Sequence, residues 1–196
     1  MSPETSLAYI KKTAIDLGVD HIADEVLDDG RFYLWSGSSC REQHHYGKHG
    51  LVKHTAEVIQ LCLANNALLG DRLDKKDLFL AALFHDCGKM WDYAPVETNE
   101  IPDYDWWWSK DHKRKIHHIS RSAIQWNLAA AKWELSHFTL IEVDEITHAI
   151  LSHHGQRAWG SPVAPKSGIA WMLHLCDGIS ARMDDCDTWD PYSGAK

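Results

Sequence analysis

The segment 75–89, KKDLFLAALFHDCGK, decides the fold that we predict for this chain. Its apolar residues recur with the period of an α-helix, and Leu78, Ala81 and Ala82 share one face with His85. A polar side chain on an apolar face is costly to bury unless another group satisfies it. The segment therefore predicts a buried helix that carries His85 and its neighbour Asp86 into the interior.

The same helical periodicity extends over most of the chain, so we predict an all-α fold, a single helical bundle. The expected helices cover residues 6–17, 51–69, 75–87, 113–133, 143–154 and 166–183. Residues 31–48 are predicted to be irregular. Residues 91–110 contain Pro95 and Pro102 and are predicted to be a long lid-like loop with room for a short hairpin.

The length and composition of the chain are typical of one globular domain. Its 196 residues are 44% hydrophobic and 24% charged. We divide it into an N-terminal helix with an irregular lead-in (1–43), a metal-binding core (44–183) and an acidic tail (184–196). No apolar run approaches the roughly 20 residues that span a membrane, and the N-terminus lacks the layout of a secretory signal. We therefore expect a cytoplasmic protein that does not contact the membrane.

The formal net charge of −8 bears on the substrate. A protein that binds long nucleic acid usually carries a basic face that displaces counterions from the phosphates. The composition therefore favours a small anionic substrate, a nucleotide or a short oligonucleotide, over a long duplex. A homo-oligomer is an open alternative to a monomer.

Five histidines and two aspartates lie on or beside the apolar faces of the predicted helices. Imidazole and carboxylate are ligands of catalytic divalent metals, and the set is compatible with Mn, Fe, Ni, Co, Mg or Zn. One buried histidine has an ordinary structural explanation, whereas a whole set is explained most simply by a shared centre of two metal ions. The candidate ligands are His54, His85, Asp86, His118, His153, His154 and Asp177.

Asp86 and Lys89 are the candidate catalytic residues. Neighbours in a helix point about 100° apart, so His85 and Asp86 can both bind only on different sides of one ion or with Asp86 as a bridge. A bridging carboxylate suits two ions about 3.5–4 Å apart, which together activate a hydroxide and hold the phosphoryl oxygens. Lys89 could neutralise phosphate charge, or it could be a surface lysine beyond the end of the helix.

Further polar residues flank the candidate ligands and are predicted to bind substrate. His45 and Lys48 precede the first ligand in a glycine-containing turn, where they could bind phosphate or donate a proton, or simply be solvated. Arg157 and Trp159 follow the histidine pair. There a guanidinium could bind phosphate and an indole could stack on a base.

Five motifs stand out along the chain: HHYGKHGLVKHT (44–55), HDCGK (85–89), HHIS (117–120), LSHHGQRAWGSPVAP (151–165) and HLCDGISARM (174–183). Together they resemble the HD-domain superfamily of metal-dependent phosphohydrolases, in particular the catalytic domain of the YhaM-type 3′→5′ exoribonucleases. The resemblance implies an all-α HD fold and divalent-metal hydrolysis of phosphodiesters.

The resemblance also divides the ligands between two metal ions. The residues that would hold the first ion are His54, His85, Asp86 and Asp177. The residues that would hold the second are His118, His153 and His154, with Asp86 as the bridge. His117 stands where the family usually has glycine, so it either supports a ligand or contacts substrate.

One departure from the family narrows the expected substrate. The exoribonucleases carry an N-terminal OB-type domain that binds nucleic acid, and the first 43 residues here are too few to form one. We therefore predict a divalent-metal-dependent phosphodiesterase for esters of nucleotides or short oligonucleotides, cyclic ones included. Two alternatives stay open, a non-haem di-iron oxygenase of the HD fold and a 3′→5′ exoribonuclease on longer RNA. A non-catalytic HD module that senses a ligand is disfavoured by the complete ligand set.

Overall fold

The computed structural model describes residues 1–38, 45–96, 105–108 and 115–182, and of 93–96, 105–108 and 134–137 only the backbone. Within these ranges the chain forms nine α-helices, a 3₁₀ turn and a two-stranded antiparallel sheet, so the predicted all-α class is confirmed. The elements are α1 Pro3–Asp16, α2 Asp20–Leu27, α3 Gly30–Leu34, α4 Gly50–Leu68, α5 Lys75–Phe84, α6 Lys89–Asp92, β1 Tyr93–Val96, β2 Asp105–Trp108, α7 His118–His137, α8 Leu140–Ser152, the 3₁₀ turn Arg157–Trp159 and α9 Gly168–Ser180.

Side-chain caps determine where three of the inner helices begin. Asp74 accepts hydrogen bonds from two backbone amides in the first turn of α5. Thr139 and Glu142 form a capping box at the start of α8, and Ser167 caps α9. Each cap stabilises its helix by about 1 kcal/mol. The caps also fix the helical register, and thereby which residues stand at the opposite end of each helix.

Helix α5 is the central element of the bundle. It packs against α4, α7, α8 and α9, and every residue from Asp77 to Phe84 is buried. A helix that is apolar on all sides needs such an interior position. Trp126 of α7 meets Phe84 edge to face at 5.4 Å between ring centroids, and its indole N–H donates to the carbonyl of Val143. This packing places His85 and Asp86, which follow α5, in the middle of the protein.

The structure adds helices to the predicted elements in the first 43 residues and at Lys89–Asp92, and it contains the short hairpin for which we predicted room within residues 91–110. Helices α2 and α3 were not predicted, and α3 lies partly within the segment expected to be irregular. The lid-like loop contains the end of α6 and an antiparallel hairpin in which Tyr93 pairs with Trp108. Residues 39–44, 97–104, 109–114 and 183–196, including the predicted acidic tail, lie outside the described residues.

Two helix starts also differ. Helix α7 begins at His118 rather than near 113, because His117 has an extended backbone. Helix α8 begins at Leu140, three residues before the predicted start at Val143, because its capping box sets the boundary. Among the described residues, no helix combines the length and apolar character needed to cross a membrane.

Candidate metal centre

Four of the candidate ligands, the first cluster, meet where α4, the end of α5 and α9 come together: His54, His85, Asp86 and Asp177. The Nε2 atom of His54 lies 3.1 Å from Asp177 Oδ1 and 3.2 Å from His85 Nε2. Asp86 Oδ2 lies 3.4 Å from His54 Nε2 and 3.5 Å from His85 Nε2. Four ligand atoms about 2.1 Å from one ion in tetrahedral geometry would be about 3.4 Å apart. The spacing of the first cluster therefore fits a metal ion.

The remaining three candidates form a second cluster on the other side of Asp86: His118, His153 and His154. His118 opens α7, and the histidine pair directly follows α8. Each of the three offers a ring nitrogen, and these atoms lie within 4.8 Å of one another. The Nε2 atoms of His118 and His153 are both 3.6 Å from Asp86 Oδ1.

Asp86 connects the two clusters because each of its carboxylate oxygens faces one of them. Oδ2 faces the first cluster and Oδ1 the second. Among the described residues, Asp86 Oδ1, His118 Nε2 and His153 Nε2 are buried and have no hydrogen-bond partner. Buried polar atoms without a partner are rare and costly. Three such atoms that face one another are accounted for if a cation binds between them, with Asp86 as a bridging ligand.

Two of the ligand histidines are oriented by the same local device at a helix C-terminus. His85 follows α5 and His153 follows α8. Their Nδ1 atoms lie 2.7 Å from the carbonyl oxygens of Ala82 and Ile150, three residues earlier in each case. The last carbonyls of a helix lack intrahelical partners. The Nδ1–H donates to one of them, which leaves the Nε2 lone pair directed toward the candidate metal position.

The other three histidines are oriented by residues outside their own helices, two of them distant in the chain and one five residues away. His54 Nδ1 lies 3.0 Å from the hydroxyl of Ser180, and His118 Nδ1 lies 3.0 Å from Asp92 Oδ2. His154 Nδ1 lies 2.8 Å from the carbonyl oxygen of Trp159. All five histidines thus use Nδ1 for support and present Nε2 to the centre, the usual arrangement around bound metals.

The carboxylates of the centre remain ionised. Burial opposes ionisation of Asp86, but the Lys89 ammonium and His85 hold its pKa well below the usual range. Burial likewise opposes ionisation of Asp177, but the hydrogen bond from His54 Nε2 at 3.1 Å helps to hold its pKa well below the usual range. Two buried carboxylates need positive charge beside them; without a metal ion, the Lys89 ammonium and a protonated His54 supply it.

Most of the histidines with shifted pKa values are held neutral, the form that binds metal. Burial lowers the pKa of His85 and places that of His118 well below its usual range. Burial, assisted by the neighbouring His153, lowers the pKa of His154 to about 4. His54 differs: burial lowers its pKa, but Asp177 and Asp86 outweigh this effect and raise it to about 9. A metal ion in the first cluster would therefore displace a proton from His54.

Lys89 is turned inward toward the centre. Its ammonium lies 2.5 Å from Asp86 Oδ2 and donates to the carbonyl of Gly37 at 2.7 Å, and its side chain is 12% exposed. Lys89 is therefore not a lysine on the surface, and its role in neutralising phosphate charge stays a prediction. Just before it, the amide of Gly88 donates to the Ser122 hydroxyl of α7 at 2.9 Å.

The predicted substrate-binding residues lie around the second cluster or in front of α4. His45 Nε2 lies 2.9 Å from Glu57 Oε2 and its side chain is 7% exposed, whereas Lys48 is exposed. The half-buried ring of His117 stacks at 4.1 Å from that of His118. The two candidates that follow the histidine pair are both exposed: Arg157 and Trp159.

Sequence reasoning missed the residues that support the ligands. Asp92, Ser180 and Glu57 contact the ligand histidines or their partners, and Ser122 anchors the HDCGK segment. One signal was available for Ser180, because it follows Asp177 by three residues and so lies on the same face of a helix. Asp92 and Glu57 had no comparable signal, since their contacts depend on how the helices pack.

Comparison with known proteins is consistent with this geometry. The family model described as HD domain matches residues 51–188. The 3′-5′ exoribonuclease YhaM of Bacillus subtilis (strain 168) is 31% identical over 150 residues, 76% of this chain and 44% of that protein. YhaM of Bacillus velezensis is 31% identical over 146 residues, 74% of this chain and 42% of that protein.

The chain thus spans less than half the length of these curated relatives. No solved structure matches it significantly. The family model alone covers more than half of the chain and includes all seven candidate ligands. The chain therefore belongs to the HD domain family.

Proposed function

We propose that this protein is a phosphodiesterase with two divalent metal ions that hydrolyses phosphate esters of nucleotides or short oligonucleotides, cyclic ones included. The observation that supports it most strongly is the position of Asp86. One carboxylate oxygen faces the three other ligand residues of the first cluster, and the other oxygen faces buried, unpartnered nitrogens of the second. Such an arrangement suits two ions that share a carboxylate.

Two bound divalent ions would supply an activated water and stabilise the negative charge that develops on the phosphoryl group. The residues of the chain set the conditions for this chemistry. Asp86 and Asp177 stay ionised, while burial keeps His118 and His154 neutral and able to coordinate. Lys89 adds a fixed positive charge beside Asp86, where it can hold a phosphoryl oxygen or the leaving oxygen.

The surface beside the second cluster supports a nucleotide as substrate. The backbone carbonyl of Trp159 accepts from the candidate ligand His154, and the indole of Trp159, 6.4 Å from the ring of His174, is about half exposed. An exposed indole can stack on a base with a contribution of about 1–3 kcal/mol. Arg157, also exposed, can bind a second phosphate, and His117 and Lys48 are further candidate contacts.

A 3′→5′ exoribonuclease on longer RNA is the second candidate. It is supported by 31% identity to proteins of that name across three quarters of this chain. The two candidates differ in their dependence on substrate length. The net charge of −8 favours short substrates, whereas an exoribonuclease would shorten a long strand stepwise.

Hydrolysis assays across a graded set of substrates test the proposal. The set comprises a nucleoside 5′-(p-nitrophenyl phosphate), a linear and a cyclic dinucleotide, a 5-mer and a 30-mer RNA, each assayed with Mn²⁺ in the absence of oxygen and with Fe²⁺ in its presence. We expect turnover of the short substrates, reduced at least about 10³-fold in Asp86→Asn and retained in Asp16→Asn, a matched change at an exposed aspartate. Absence of turnover across the set refutes the proposal, and stepwise shortening of the 30-mer favours the exoribonuclease. Turnover that requires iron and oxygen favours the oxygenase.

A further inference from the structure

We propose that Glu57 is a positioning residue for the first cluster and acts on His54 through Ser180. This inference rests on the proposed metal centre and adds a residue outside the ligand set. Glu57 Oε2 accepts from the Ser180 hydroxyl at 3.0 Å, and Ser180 Oγ lies 3.0 Å from His54 Nδ1. The Glu57–Ser180 link thus contacts His54 at Nδ1, on the side of the imidazole ring opposite Nε2.

The directions of the hydrogen bonds in the Glu57–Ser180 link determine which tautomer the neutral His54 side chain adopts. A hydroxyl has one hydrogen to donate, and an ionised carboxylate can only accept. Because Ser180 donates to Glu57, its oxygen is left to accept the hydrogen bond from His54 Nδ1–H. The neutral imidazole therefore carries its proton on Nδ1 and offers the Nε2 lone pair to the ion. Without Glu57, the serine hydroxyl is free to donate toward Nδ1 instead and to favour the tautomer that cannot bind.

The Glu57–Ser180 link also fixes two helices relative to each other. Glu57 follows His54 by three residues on α4, and Ser180 follows Asp177 by three residues on α9. Residues three apart lie on one face of a helix. The link therefore joins α4 to α9 one turn away from the point where His54 Nε2 and Asp177 Oδ1 are 3.1 Å apart.

The outer end of the link is His45, in the segment before α4. Its Nε2 lies 2.9 Å from Oε2 of Glu57, the oxygen that also receives the serine hydroxyl. The His45 ring lies 5.3 Å from the ring of His54, and its backbone has a φ of 57°. A residue other than glycine in this conformation needs support from its surroundings. The contact with Glu57 contributes this support, so His45 has a structural role in the link.

Metal titration distinguishes this role from general support of the fold. Loss of a residue that orients a metal ligand weakens binding about 10–100-fold. We expect Glu57→Leu and Ser180→Ala each to weaken Co²⁺ binding by the first cluster at least about 10-fold. The double variant should be no weaker than Ser180→Ala alone, because both changes break one path. Glu57→Gln should stay within about threefold of the wild type, since one amide oxygen can accept both hydrogen bonds.

The titration is performed on the full chain in a His118→Ala background, which disables the second cluster and leaves one binding step. The visible spectrum of Co²⁺ reports the geometry of that site, and should change in Glu57→Leu but not in Glu57→Gln. Ser6→Ala removes another fully buried hydroxyl, that of α1, and serves as the matched control. Unchanged affinity in Glu57→Leu, or additive losses in the double variant, overturns the inference. The titration measures metal binding and not hydrolysis, so a failure of this inference can be distinguished from a failure of the proposed activity.

Discussion

Replacement of Gly88 by alanine tests how the fold holds the second cluster. Gly88 has no left-handed backbone that would require glycine, but it has no room for a side chain. A Cβ at this position would lie 2.2 Å from the carbonyl oxygen of His118 and 2.9 Å from Cβ of Arg121. A carbon–oxygen contact normally needs about 3.3 Å, so the start of α7 must recede by about 1 Å.

That displacement has two consequences of predictable size. Overpacking of a buried contact costs about 1–3 kcal/mol, which for a domain of this length lowers the melting temperature by about 2–12 °C. His118 would also move away from Asp86 Oδ1, now 3.6 Å from its Nε2. Metal–ligand distances tolerate only about 0.2 Å. We therefore expect binding at the second cluster to weaken at least about 10-fold, with the first cluster little affected.

Calorimetric titration of the metal-free protein with Mn²⁺, together with thermal unfolding, measures both effects. Gly30→Ala is the matched control, because a Cβ at Gly30 would meet no heavy atom within 4 Å and its φ is also ordinary. The wild type and the control should bind two ions, and Gly88→Ala one ion tightly. If Gly88→Ala binds two ions with wild-type affinity, the reasoning about the approach of α7 is wrong.

Three further predictions concern single side chains. Burial and nearby Asp74 raise the pKa of Asp77 from 3.8 to about 6, so its ionisation destabilises the fold as the pH rises through that range. Asp77→Asn should then be about 1–2 kcal/mol more stable than the wild type at pH 8 and no more stable below pH 4, by chemical unfolding. Asp92→Ala removes the acceptor for His118 and should weaken metal binding at the second cluster about 10–100-fold by titration. Asn66→Ala leaves two backbone groups of Leu73 without partners and should cost about 2–4 kcal/mol in urea unfolding.

Matched changes give these predictions their controls. Asp16→Asn removes a charge from an exposed position and should show no comparable gain between pH 4 and pH 8. Asp92→Asn keeps an oxygen acceptor and should retain more affinity than the alanine variant. Asn65→Ala, on the same helix, removes a half-buried amide that bonds only within one turn of backbone and to a thiol. The argument on Asp77 is contradicted if the gain in stability does not depend on pH. The argument on Asp92 is contradicted if both variants lose the same metal affinity, and that on Asn66 if Asn65→Ala and Asn66→Ala lose the same unfolding free energy.

The sequence predicted that the candidate ligands converge, because the pattern that indicates this is local in the chain. His54, His85 and Asp177 each stand at helical spacing from apolar residues, and helical spacing determines which way a side chain points. The structure brings all three together with Asp86 and the second cluster, as expected from shared core faces. The sequence left open whether Lys89 points inward or lies on the surface. The chain turns after α5, and the direction of that turn depends on packing.

The parts that the sequence did not predict depend on contacts between distant residues. The hydrogen bond from His54 to Ser180 joins residues 126 apart, and that from His118 to Asp92 joins residues 26 apart. Helix α2 begins at Asp20, and its N-cap residue Val19 forms no capping side-chain bond, so the start of this helix carries no local signal. Its existence follows from burial of Ile22 and Val26 against the bundle.

The central claim is that Asp86 bridges two metal ions, and electron paramagnetic resonance of the Mn²⁺-loaded protein tests it most directly. Metal-free protein is titrated with Mn²⁺, and stoichiometry and spectrum are recorded together. Two ions that share a carboxylate at about 3.5–4 Å are magnetically coupled. We predict two Mn²⁺ per chain with an exchange-coupled spectrum, which Asp86→Asn converts to that of isolated ions. A single ion per chain, or two ions whose spectra show no coupling in the wild type, contradicts the account.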